Sequence, residues 1–295
     1  MNSGGARNAR LASFVIVAAM DRHSQDLQSG LAETGAPVTA WWLGRTGYRD
    51  AWNLQHRLVE ARAAGLVGDQ LLLLEHEPVL TLGRHSDPSH VVATPKELAA
   101  RRIELIETER GGEVTYHGPG QLTAYPIIKL SDRGLLVRPL VRALEAALAA
   151  ACAEAGVEAD RRDGYPGCWC GEGTRKIGAV GIRIEHGVSY HGIALNVTVR
   201  LSDFGLIDAC GMPEVVSTSI ARELGLVVEP STESVARTAA AFARAFAGRL
   251  AAPILGSLPP DAYPGAARAD LESMLADRTA AAANPAGPVA QVGAR

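Results

Sequence analysis

The 295-residue sequence is most informative at first in what it lacks. Four cysteines are too few to staple a chain of this length, which points to a reducing compartment and to a fold held by its core. No apolar run approaches the ~18 to 20 residues that cross a bilayer, which excludes a transmembrane helix. Charge of one sign is also missing. Lys+Arg 29 against Asp+Glu 32 gives a net charge of −3, which argues against a general binder of nucleic acid or anionic membranes. Between about residues 38 and 250 there is no Pro/Ser linker and no internal repeat, so this stretch reads as one domain. What remains is an ordinary globular composition, 47% hydrophobic and 21% charged, with a mean hydropathy of +0.05.

The two ends read differently from the middle. Residues 1–37 are rich in Gly, Ser, Asn and Ala, and are expected to form a flexible N-terminal extension. Within it, Leu11 to Met20 follows Arg7 and Arg10 and closes on Ala18 and Ala19. That imitates a signal peptide, but the apolar segment is short and no oxidised cysteine framework follows. Residues 253–295 carry Pro259, Pro260, Pro264, Pro285 and Pro288 among many alanines and are expected to be a dispensable tail. The folded domain is therefore placed at 38–252.

Inside it, turn signals and periodic segments alternate. Helices are expected at Arg49–Ala64, from the capping box Thr94-Pro95-Lys96-Glu97, at Pro139–Gly156, at Ser217–Leu224 and at Thr232–Leu250. The third places Leu140, Leu144, Leu148 and Cys152 on one stripe, and the last buries Val235, Ala239, Phe242 and Phe246. Strands are expected at Gln70–Glu75, Ile103–Glu107 and Leu122–Leu130. A hairpin of Lys176–Ile184 and Val188–Val199 turns at Glu185-His186-Gly187. The mixture implies an α+β domain with a largely antiparallel sheet.

Three segments hold glycines and reactive side chains where packing requires neither. The first is Arg110-Gly111-Gly112-Glu113-Val114-Thr115-Tyr116-His117-Gly118-Pro119-Gly120-Gln121, whose paired glycines allow close backbone approach to a ligand. It is not a Walker loop, since no Gly-Lys-Ser/Thr follows. A glycine-rich hairpin with His117 satisfied by a turn fits the same residues. The second runs from Arg175-Lys176 through Ile177-Gly178-Ala179-Val180-Gly181-Ile182-Arg183 to Tyr190-His191-Gly192-Ile193-Ala194-Leu195-Asn196-Val197. A lysine opening such a strand projects over bare backbone, although a surface lysine is the common alternative. The third, Asp208-Ala209-Cys210-Gly211-Met212-Pro213, puts a cysteine in a turn.

Together with Thr81-Leu82-Gly83-Arg84 and Trp169, these segments resemble the lipoyl(octanoyl) transferase family over roughly residues 38–250. The resemblance implies the fold of the biotin/lipoate protein ligase catalytic domain. It also implies transfer of an octanoyl or lipoyl group from octanoyl-acyl carrier protein to a lysine of its acceptors. These would be the apo lipoyl domains of 2-oxoacid dehydrogenase complexes and the glycine cleavage H protein. No cofactor, metal, membrane or nucleic acid is implied, and the location is cytoplasmic. By the same resemblance Cys210 is the acyl-accepting nucleophile and Lys176 its partner. The substrate pocket is formed by Arg110, Gly111, Gly112, Glu113, Val114, Thr115, Tyr116 and His117, by Ala179, Val180 and Gly181, and by Gly192, Ile193 and Ala194.

Three alternatives use the same residues. An ATP-dependent lipoate-protein ligase needs no cysteine at 210, a cysteine hydrolase would pair Cys210 with His117 or His191, and a non-catalytic acyl-protein binding module would leave Cys210 idle. Cys168 and Cys170 flank Trp169 where the family more often carries apolar residues. A metal pair there lacks two of the four ligands of a structural zinc site, so packing is the expected role, as for Cys152.

Overall fold

The computed structural model describes residues 35–208, 215–256, 258–259 and 264–283. A long mixed sheet runs β12-β1-β2-β6-β10-β9-β8-β7. Its strands are β1 (Val38–Thr46), β2 (Asp69–His76), β6 (Gln121–Ile127), β7 (Asp160–Arg162), β8 (Tyr165–Cys170), β9 (Arg175–Glu185), β10 (Val188–Asn196) and β12 (Ile254–Leu255). A short β11 (Val216–Ser217) pairs with β9 in parallel. A second sheet, in the order β4-β3-β5, is built from β3 (Val79–Leu82), β4 (Glu104–Glu107) and β5 (Thr115–His117). The helices are α1 (Tyr48–Ala63), α2 (Pro95–Ala100), α3 (Val137–Glu154), α4 (Ile220–Glu223), α5 (Thr232–Arg249) and α6 (Pro264–Ala283).

The leucine run explains the layering. In β2, Leu71 and Leu73 face the core under α3 and α5, while Leu72 and Leu74 face the core under α1 and α6. A strand buried on both faces reads as a continuous apolar run because the alternation of side chains then serves two cores. On one side Leu140, Leu144, Leu148 and Cys152 of α3 meet Val235, Ala239, Phe242 and Phe246 of α5, all fully buried. Helix α2 begins at the capping box, with Thr94 Oγ1 accepting from the Glu97 amide and Glu97 accepting from the Thr94 amide. The β9–β10 hairpin turns through His186 (φ 50°) and Gly187 (φ 76°), and two positive φ angles match the right-handed twist of the flanking strands.

Several boundaries shift. Ser217, expected to open a helix, instead closes the strand Val216–Ser217, which adds to the edge of β9, and α4 is confined to Ile220–Glu223. Strand β10 ends at Asn196, where Val197 and Thr198 turn to donate to Gly120 O. The long sheet mixes parallel pairs (β1/β2, β1/β12, β9/β11) with a larger number of antiparallel ones, and the small sheet has one of each. The expected tail after residue 252 requires the main correction. Val38 pairs with Ile254, and α6 packs on the sheet and α1 with Leu271 and Leu275 buried. Alanine-rich spacing hid a face that needs only two leucines. At the other end Gly35 already donates to Ala251 O, and the residues before it lie outside the described ones. Among the described residues, no helix is long and apolar enough to cross a membrane.

Candidate active site

Strands β6, β10 and β9 lie side by side and form the floor of a cleft of about 510 Å³. Gly192 pairs with Gly181, and Ala194 with Ala179, so the floor is nearly free of side chains where β9 meets β10. Both glycines are required by close backbone approach. A Cβ on Gly192 would lie 1.9 Å from Ala124 O, and one on Gly181 would lie 2.7 Å from Gly111 O. The second contact exists because the glycine loop is stitched to β9 by the Gly111 amide donating to Ile182 O at 3.3 Å.

The loop is held from below by Arg110. Its buried guanidinium donates from Nε to Thr81 Oγ1 at 3.0 Å and from Nη2 to Thr81 O at 2.6 Å, and Arg84 N donates to Arg110 O. The Thr81 to Arg84 run therefore shapes the loop. Gly111, Gly112, Glu113, Val114, Thr115 and His117 line the cleft together with Lys176, Ala179, Val180, Gly181, Gly192, Ile193 and Ala194. Tyr116 is not among the lining residues. Alternation along β5 turns it into the core beside Leu206 and Phe204, where its hydroxyl donates to Asp203 at 3.1 Å.

A buried polar layer completes the wall. His76 Nδ1 can only donate to the Thr46 carbonyl, at 3.0 Å, so Nε2 accepts from the Tyr125 hydroxyl at 2.6 Å. Burial pushes the His76 pKa down to about 4. His117 is likewise held well below the usual histidine range, by burial first and then by His76 and Arg110. It faces Gln121 Oε1 at 2.7 Å as a neutral donor. Glu109 Oε1 accepts from Trp52 Nε1 at 3.0 Å and lies 3.1 Å from His56 and 3.6 Å from His191. Burial alone would raise its pKa, but His191 and Trp52 outweigh burial and hold the carboxylate at about 2. Burial pushes Tyr48 up to about 12, so its phenol stays protonated. Gln121 and Asn196, which belong to the first and second of the glycine-bearing segments, also line the cleft, and so do Tyr48, Thr123 and Tyr125, which the sequence did not single out. The only signal for Thr123 and Tyr125 was their polar positions alternating with Leu122 and Ala124.

Lys176 sits opposite Trp169 of β8 and beside Ser217 of β11. Its backbone carbonyl accepts from Thr218 N at 3.0 Å. A chain of hydrogen bonds joins this point to the glycine loop. Asn196 Nδ2 donates to Thr218 O at 2.8 Å, and Gln121 Nε2 donates to Asn196 Oδ1 at 2.9 Å. Cys210 lies in the stretch 209–214, outside the described residues. The described flanks of that stretch are anchored at the cleft. Asp208 N donates to His90 O at 2.7 Å, and Phe204 and Ser217 both line the cavity. Cys152, Cys168 and Cys170 are buried in the core, where burial pushes the Cys170 thiol up to about 12. Among the described residues no group of three His, Cys, Asp or Glu side chains is arranged to hold a metal ion.

With this geometry in place, comparison with known proteins assigns the family. Residues 47–247 match the model described as Lipoyl protein ligase A/B catalytic domain. The chain is 46% identical over 189 residues to an octanoyltransferase of Chloroflexus aggregans, covering 64% of this chain and 86% of the relative. It is 46% identical over 218 residues to an octanoyltransferase of Acidobacterium capsulatum, covering 69% and 88%. Among solved structures it resembles lipoate-protein ligase A bound with ATP, with a TM-score of 0.58, 13% identity and coverage of 83% and 94%. It also resembles the bi-partite lipoate protein ligase from Thermoplasma acidophilum, with a TM-score of 0.57, 15% identity and coverage of 82% and 91%. At such identity these two show the fold alone. The chain belongs to the lipoyl protein ligase A/B catalytic domain family, among relatives named octanoyltransferase.

Proposed function

We propose that this chain is an acyltransferase of protein lipoylation that moves an octanoyl or lipoyl group from acyl carrier protein onto a lysine of apo lipoyl domains, through a thioester on Cys210. The acceptors in this reading are the lipoyl domains of 2-oxoacid dehydrogenase complexes and the glycine cleavage H protein. The observation that carries the reading is Lys176 on the wall of a cleft floored by Ala179, Gly181, Gly192 and Ala194, with both flanks of the Cys210 stretch anchored there.

The chemistry closes on one lysine. An ammonium at Lys176 stabilises the Cys210 thiolate, whose unperturbed pKa is about 8.5. The thiolate attacks the thioester carbonyl, a new C–S bond forms to Cys210, and the carrier's thiolate leaves and takes a proton from Lys176. Exchange of one thioester for another is nearly balanced in energy. The acceptor amine then attacks, the amide forms as the Cys210 C–S bond breaks, and neutral Lys176 accepts the proton that the amine sheds. One proton crosses Lys176 in each half-reaction, and the starting ion pair is regenerated. Backbone N–H groups are suited to hold the oxyanion. Burying the octanoyl chain on the bare floor contributes roughly 5 kcal/mol at about 0.8 kcal/mol per CH₂.

A ligase must first activate a free acid with ATP, whereas a thioester donor already carries its leaving group. Octanoyl-acyl carrier protein and an apo lipoyl domain, mixed with this chain in EDTA without nucleotide, are expected to give octanoylated domain. Intact mass should show a transient octanoyl adduct that Cys210→Ala abolishes. Strict dependence on ATP, or normal transfer by the alanine variant, overturns the reading.

A further inference from the structure

The Lys176 side chain is set by three independent features of β8 and β9. The first is a break in register. Gly167 pairs with Ala179 and Cys168 with Gly178, but Trp169 pairs with Lys176, so β9 carries one extra residue, Ile177. Such a bulge re-aims the side chains beside it, and here Ile177 goes into the core. The second is Gly167 itself. A Cβ there would lie 3.2 Å from Lys176 Cε, so the aliphatic stem crosses bare backbone. The third is Trp169. Lys176 Nζ stands 5.1 Å from the centre of its ring, within the distance at which an ammonium is attracted to an indole face.

The ring is itself fixed. Trp169 is 2% exposed, its Nε1 donates to Tyr165 O at 3.1 Å, and the Arg162 guanidinium stands 5.2 Å from it while covering Tyr165 at 4.3 Å. We propose that Trp169, with the β8–β9 bulge, is a positioning residue for Lys176, its indole face fixing the ε-ammonium in the cleft for its part in the Cys210 chemistry. The proposal rests on the acyltransferase reading above.

Other charged groups surround this lysine. Arg110, Glu113, His117 and His191 line the same cleft, and Arg175, ion-paired to Glu223, precedes it on β9. The test therefore compares variants that leave all of these in place. Iodoacetamide reports the thiol directly and needs no acyl substrate. The other three cysteines are buried, and Cys210→Ser gives the background.

Trp169→Leu keeps apolar bulk and removes the π-face. Alkylation below the thiol pKa is expected to slow about three- to tenfold, as the apparent pKa rises by about half a unit to one unit. Trp169→Phe retains a face and is expected to lie close to the parent. In a Lys176→Met background, Trp169→Phe and Trp169→Leu should have no further effect on the profile. A thermal melt identifies a variant that fails to fold, in which case Trp169→Met, which also keeps apolar bulk without an aromatic face, replaces the leucine variant in both backgrounds and is held to the same outcomes. An unshifted profile in folded Trp169→Leu, or a shift that persists without Lys176, overturns the positioning role. Failure of the parent to form the octanoyl adduct instead overturns the acyltransferase reading, and the alkylation result keeps the two apart.

Discussion

Removing residues 257–295 deletes α6 while leaving β12 paired to β1, and it should destabilise the catalytic domain. Leu271 is fully buried and Leu275 is 2% exposed, in the cluster that holds Leu54 and Leu58 of α1 and Leu72 and Leu74 of β2. Burying two leucines contributes about 3–6 kcal/mol. The half-exposed Arg57–Glu272 pair adds about 0–1 kcal/mol, and ordering the helix backbone offsets part of this sum. A net loss of about 2–4 kcal/mol remains. At about 2–4 °C per kcal/mol for a domain of this size, the melting midpoint should fall by about 4–16 °C.

Differential scanning calorimetry of the full and shortened chains measures the fall. Trp41, packed against the same cluster, should report its exposure by a red shift in fluorescence. The consequence reaches the cleft, because α1 carries Tyr48 on its wall and Gln55, whose side chain accepts from the His191 amide at 2.8 Å. Transfer activity should therefore fall at a lower temperature than in the full chain. Leu271→Ala alone should lower the midpoint by part of this amount. A shortened chain melting within about a degree of the full one, with Trp41 emission unchanged, refutes the docking of α6.

Gly192→Ala should cost several kcal/mol and abolish the cleft geometry, because a Cβ 1.9 Å from Ala124 O must push β10 off β6; a urea titration checks it, and an unchanged midpoint contradicts the contact. Stability should fall as the pH drops below about 6.5 and level off near 4. His76 is neutral in the fold down to about 4 but protonates at its ordinary value when unfolded, which makes this one group worth about 3 kcal/mol across that window. His76→Gln should flatten that part of the pH profile, and a profile already flat between 6.5 and 4 counts against the buried neutral imidazole. Asn196→Ala should slow acyl transfer about tenfold while shifting the melt only modestly, because Asn196 holds Thr218 beside Lys176; a loss confined to stability would reduce it to a packing residue.

How much of this was legible follows from what each element asks of its residues. Helices α3 and α5 declared themselves because a buried stripe must repeat with the helical period, and Leu140 to Cys152 and Val235 to Phe246 do so. The capping box at Thr94 and the turn at His186-Gly187 were legible because backbone geometry restricts the residues allowed there. Strand β1, with Trp41 and Trp42, was missed because a bulge between Trp42 and Arg45 breaks its alternation. Helix α6 was missed because two buried leucines among alanines carry a weak pattern. At the site, glycines at 181 and 192 were visible as glycines, but the oxygens they accommodate belong to residues distant in sequence. Tyr116 looked equivalent to its neighbours until β5 assigned it to the far face.

The site is built on strands rather than on a loop alone for a physical reason. A soft acyl chain needs a long bare surface, and only adjacent strands bearing Gly or Ala at facing positions supply one without exposing unpaired backbone. The facing positions at the middle of those strands cannot also carry the reactive groups, since a side chain there would fill the space the acyl chain needs. In the proposed reaction the chemistry is therefore pushed to the margins. Lys176 enters at one end of β9 through a bulge, and Cys210 belongs to a stretch whose flanks are tied to His90 and to β9. Both margins are fixed to the floor by hydrogen bonds through Asn196 and Gln121. The bare floor and the pinned margins are thus two halves of one requirement, and the Gly181–Gly192 pair and the Asn196–Thr218 bond are where each half is most exposed to a single substitution.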